Sequence, residues 1–184
     1  MRPTSPWSWM RWLVAAALLS AATAFAFVSE ARAQGAASIN ATALLSPTAL
    51  AVGQLKNLQF GNVTAGVPVT INPRTNPNAG EFEIQGTRNA EVAVTLTLPT
   101  QLSTGFWTMP VGFGVTSGCW RRQGGQAGCN FWDPNTILIA RIRNQNPPNN
   151  HLWVWIGGTA SPAAAQNSGV YLGTIQMSVV YTGN

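Results

Sequence analysis

The sequence predicts an all-β, antiparallel β-sandwich from three observations: period-two alternation of apolar residues, turn residues at short intervals, and no helical period beyond residue 33. The alternation is clearest where Val92, Val94, Leu96 and Leu98 interleave with Glu91, Ala93, Thr95 and Thr97 before Pro99. Successive side chains of a strand point to opposite faces, so this pattern describes a strand buried on one side. The 184 residues include 18 Gly and 12 Pro, which with Asn and Thr interrupt nearly every window that could hold three helical turns. The length suits one domain.

In chain order, residues 1–33 read as a secretory signal. Arg2 and Arg11 supply positive charge, 12–28 supply an apolar run, and Ala31-Arg32-Ala33 supplies a small-residue cleavage site between Ala33 and Gln34. The run of about 17 residues is at the short limit for spanning a bilayer, and no later stretch is long enough to span as a helix. A single sandwich domain is therefore expected over 34–184, with no stable membrane span after cleavage. Within it, Ile39, Ala41, Ala43 and Leu45 alternate with Ser38, Asn40, Thr42 and Leu44. That segment reads either as the domain's own first strand or as a strand donated to another chain.

Further along, Val67, Val69 and Ile71 are expected inward, ended by Asn72-Pro73, and Phe82 and Ile84 inward with Glu81 and Glu83 outward. After the strand at 91–98, residues 100–134 break the alternation and read as a disulfide-clipped, Trp-rich insertion. Alternation resumes with Leu138, Ala140 and Ile142, then Leu152, Val154 and Ile156, and finally Tyr171, Ile175, Met177, Val179 and Tyr181. The Pro- and Asn-containing segments 72–80 and 144–150 read as exposed loops.

The chemistry available is narrow. Charged residues make up 8% of the chain and the formal charge is +5, which falls to +3 once Arg2, Arg11, Arg32 and Glu30 leave with the signal. That balance reflects scarce acids and predicts no nucleic-acid partner; Arg141 and Arg143 occupy the outward side of a strand, and Arg121 and Arg122 join them as solvated cations. With one His, no metal or cofactor site is expected. Glu81 and Glu83 lie about 6.5–7 Å apart along a strand, a spacing that could suit a glycosidase pair, but an outward strand face does not raise the pKa of an acid. His151 has no Ser or Cys partner at motif spacing, and the Gly-rich 123–128 lacks the Lys-Ser/Thr ending of a phosphate loop. The chain is not expected to be an enzyme.

Cys119 and Cys129 are expected to form one disulfide in an oxidising compartment. If Leu152, Val154 and Ile156 point inward, Trp153 and Trp155 point outward. With Trp107, Trp120 and Trp132 they are the candidate contacts to a ligand such as carbohydrate or to another subunit, unless the insertion itself covers them.

Three blocks carry a resemblance: LQFGNVTAGVPVTINP (58–73), AGEFEIQGTRNAEVAVTLTLP (79–99) and AQNSGVYLGTIQMSVVYTGN (165–184). Their L-x-FG turn, F-x-I-x-G strand, strand ending in LP and closing G-x-Y-x-G-x-I-x-x-x-V-x-Y strand resemble the secreted bacterial family called domain of unknown function 4402, similar to pilin-like and spore-coat-U-like surface proteins. The resemblance implies an immunoglobulin-like sandwich and an exported location in the periplasm, on the surface or outside the cell. It also implies a structural or adhesive role, with self-assembly or other surface subunits as partners and a periplasmic chaperone as a helper. It transfers no catalytic residues, and the Trp-rich stretch lies outside its pattern. The other functional expectation is a monomeric carbohydrate- or ligand-binding module that uses that stretch.

Overall fold

A computed structural model describes residues 49–183, which form twelve β-strands in antiparallel sheets and no helix. The signal segment, its cleavage site and the alternating 36–45 segment lie outside the described residues. Numbered in chain order, the largest sheet runs β1 (Ala51–Lys56), β3 (Gly80–Gln85), β10 (His151–Ile156), β7 (Gly118–Arg121), β8 (Asn130–Trp132). A three-stranded sheet, β12 (Gln176–Tyr181), β4 (Glu91–Thr97), β9 (Leu138–Arg141), lies across the core from it. A third sheet holds β2 (Val69–Ile71), β11 (Gly158–Ala160), β6 (Thr108–Gly112) and β5 (Gln101–Ser103).

The first two sheets make the sandwich. Ile84 from β3 and Leu152, Val154 and Ile156 from β10 meet Val92 and Val94 from β4 and Leu138 and Ala140 from β9 in one buried cluster. Ile84, Val92, Val94, Leu152, Val154 and Ile156 are all 0% exposed, so the inward assignments made from alternation hold for the central strands. Each such side chain, fully buried, contributes roughly 1.5–3 kcal/mol.

Three expectations are corrected. Residues 100–134 are not an insertion: they supply β5 and β6 of the third sheet and β7 and β8 of the five-stranded sheet. Short strands broken by Gly, Pro and Ser give no long alternation to read, yet Gly118 pairs with Ile156 and Trp132, inside the ladder. Val67 is 53% exposed and lies outside β2, which belongs to the third sheet, so only Ile71 of that expected inward set is buried. The final strand is shorter than its pattern: β12 starts at Gln176, and Leu172 exchanges backbone hydrogen bonds of 2.8 Å with Ser103 instead of continuing the β4 ladder.

The chain changes sheets at Gly157, between β10 and β11. Its amide donates to Ser117 O at 2.8 Å, and a Cβ there would lie 2.0 Å from Ile71 O and 2.8 Å from Pro73 Cδ. Backbone cannot step aside as a flexible side chain can, so Gly157→Ala is expected to cost about 1–3 kcal/mol or more by overpacking. Denaturant titration of the variant checks this; a change within about 0.5 kcal/mol, the range of an ordinary surface substitution, would contradict it.

Candidate functional site

The outer face of the five-stranded sheet gathers much of the polar chemistry. Across its ladder, Trp155 sits between Glu81 and Cys119, and Trp153 between Glu83 and Arg121. The Cys119–Cys129 disulfide, with Cα atoms 5.7 Å apart, folds the 122–128 loop back over this face. Trp155 is consequently 1% exposed and clusters with the two cysteines, while Trp153 packs beside them half-buried. The Arg121 guanidinium holds the loop by donating to Gly125 O and Ala127 O, and Gln126 Nε2 donates to Asn76 O at 2.9 Å. Arg74, from the 72–80 loop, stacks 3.9 Å over the Phe131 ring and donates to Cys129 O.

The five tryptophans singled out from sequence therefore do not form one surface. Trp120 and Trp132 turn toward the sandwich core, and the Trp132 indole N–H donates to Thr136 O at 3.2 Å. Trp155 lies under the disulfide, so burial removes Trp132 and Trp155 as direct contacts, while Trp120 is half-buried. Trp153 keeps partial access, stacked at 5.1 Å on His151. Trp107 is 48% exposed at the β5–β6 turn, next to Phe106, which is 91% exposed.

The two strand-face carboxylates are each matched to a separate base. Glu81 Oε2 lies 3.3 Å from Lys56 Nζ, and Glu83 Oε1 lies 3.0 Å from His151 Nδ1. Arg141 pairs with Glu91 at 3.7 Å, and Arg122 donates to Ile142 O at 2.9 Å. These cations and acids serve one another and the loop carbonyls. Arg141 nevertheless lies on the exposed, outward side of its strand that alternation predicts.

A second feature was not apparent from local pattern. Residues 57–73, 92–120 and 152–184 carry no charged side chain, and all four strands of the third sheet fall within them. This end of the molecule exposes Phe106, Trp107, Val115, Val170 and Leu172. It also holds a groove of about 1020 Å³ between residues 57–65 and 166–175, with Phe82, Met109, Val111, Phe113 and Ile156 among its lining. Lys56 is the one charged residue among the described residues that line it. Sequence reading missed this groove because its walls come from segments about 100 residues apart whose meeting no local pattern reveals. The run of uncharged residues was the available signal.

The family model described as "Domain of unknown function (DUF4402)" matches residues 46–181. No curated protein and no solved structure matches the chain.

Proposed function

The chain belongs to the DUF4402 family, and from that premise we propose that it is an exported, non-enzymatic structural or adhesive component of a bacterial cell surface. It is a pilin-like subunit that assembles by strand addition or edge pairing. The observation that carries this reading is the uncharged end with its exposed apolar side chains. Charged residues normally make up about a quarter of a globular chain, and a monomer rarely leaves large apolar patches in water. A surface of this kind suits burial against an equally neutral partner, because no charge has to be desolvated. Among the described residues β1 stands at a sheet edge, and an edge of this kind can accept a strand from a neighbouring chain.

Light scattering on the purified, oxidised protein across concentration tests the assembly reading. Ordered multimers that persist at high salt are expected, since screening weakens charged contacts and not apolar ones. A chain that stays monomeric throughout would overturn it. Phe106→Ser with Trp107→Ser is expected to change stability by no more than about 0.5 kcal/mol, because both side chains are exposed, while reducing association.

The Phe106–Trp107 pair, with ring centroids 6.2 Å apart, also favours a second reading, a carbohydrate-binding module. A saturable shift in tryptophan emission against a glycan panel, in a protein that remains monomeric, would support that reading over assembly.

A further inference from the structure

We infer that the turn between β5 and β6 seats the protein on a membrane, with Phe106, Trp107, Val170 and Leu172 entering the interface of a phospholipid bilayer. These four residues are 91%, 48%, 76% and 70% exposed, in that order. They come from two segments that the structure ties together. β5 and β6 last pair at Ser103 and Thr108, which leaves 104–107 as a four-residue turn. The 169–172 segment runs beside it: Ser103 and Leu172 exchange backbone hydrogen bonds of 2.8 Å, and a Cβ on Gly169 would lie 3.0 Å from Thr104 Cγ2. The exposed apolar side chains therefore gather at one end of one hairpin.

Shape, charge and hydrogen bonding each favour lipid as the occupant. A side chain as exposed as Phe106 projects from its turn, and another folded protein encloses it only with a matching pocket, whereas a fluid acyl phase needs none. Residues 92–120 and 152–184, which contain both segments, carry no charged side chain, so entry desolvates no ion. The lack of a cation also points to neutral lipid rather than to an anionic headgroup. Peptide groups enter lipid cheaply only when they are already paired within the protein. Here the amides of Ser103, Thr104 and Leu172 donate to Leu172 O, Trp107 O and Ser103 O, and those of Gly105 and Trp107 donate to Ser103 Oγ and Thr104 Oγ1. The Phe106–Trp107 pair suits this boundary, because an indole settles at headgroup level while its apolar neighbours reach the acyl chains. The inference goes beyond the assembly reading: an apolar tip that joins chains in water can exchange that contact for lipid where a bilayer is present.

The test uses the full chain, exported by a bacterial host so that the native disulfide forms, mixed with phosphatidylcholine vesicles whose acyl chains carry bromine near the headgroup end. Reversible binding that quenches tryptophan emission is expected, equal at low and high salt because no charge takes part. Phe106→Ser is expected to weaken partitioning about tenfold or more, the transfer preference of one phenyl ring. Val115→Ser removes another exposed apolar side chain, beyond the other end of β6, and is expected to leave partitioning unchanged. Trp107→Phe is expected to bind but to lose most of the quenching, since Trp132 and Trp155 are buried. No binding by the parent chain, binding only to anionic vesicles that high salt reverses, no loss with Phe106→Ser, or quenching that persists in Trp107→Phe would each overturn the inference and leave the assembly reading untouched. Multimers in water, or a glycan complex, that keep Trp107 from being quenched when vesicles are present would also overturn it, and would give the tip to a second copy or to carbohydrate.

Discussion

Replacing Trp155 with alanine is expected to lower stability by about 3–5 kcal/mol, the range for truncating a buried tryptophan, although Trp155 lies outside the sandwich core. It is 1% exposed and packs with Cys119, Cys129 and Trp153 on the outer face of the five-stranded sheet. The loss has two parts, the transfer of the indole out of water and a cavity under a cover that cannot collapse freely. The disulfide and the bonds from Arg121 hold that cover in place. Trp107→Ala is the internal comparison. The same truncation at a side chain 48% exposed should cost far less, so denaturation midpoints of the two variants ought to separate widely. Equal midpoints would mean that the 122–128 loop does not seal Trp155 from water.

The second large effect is expected from Cys119→Ser with Cys129→Ser. Closing a loop of this length contributes about 2.7 kcal/mol in the chain-entropy account, and removing a native disulfide from a small domain typically costs about 2–5 kcal/mol. A local consequence distinguishes this protein from the general case. The two cysteines are 0% and 1% exposed and form the cover over Trp155, so releasing them should redshift tryptophan emission before global unfolding. Combined with Trp155→Ala, the cost should be less than the sum of the separate losses, because the two changes dismantle one cluster. Strict additivity would argue that cover and indole are energetically independent.

Much of the sandwich was legible in the sequence because a strand's inward and outward sets follow from the pleat alone. Val92 and Val94, Ile84, Leu138 and Ala140, and Leu152, Val154 and Ile156 were assignable without knowing any partner strand. The cysteine pair was readable for a similar reason, since two cysteines in one domain have a single way to pair. The same rule misled at 100–134, where strands of three to five residues are too short to show a period and are set by the neighbours they pair with. It was also silent on β1, whose six residues are all exposed and so carry no strong alternation.

The tryptophans mark the boundary most clearly. Local pattern put Trp153 and Trp155 on the same outward face, and the β3–β10–β7 register agrees. Their different fates, one half-buried and one sealed, depend on where the Cys119–Cys129 loop lands. By itself the sequence determined the all-β class, the inward face of the central strands and the cysteine pair, because each depends on neighbours within a few residues or on simple counting. Tertiary structure alone decided the third sheet, the covering of Trp155, the pairing of Glu81 with Lys56 and Glu83 with His151, and the groove. Each of these joins segments far apart in the chain, and their meeting is settled by which strand edges close together and not by the period of either segment.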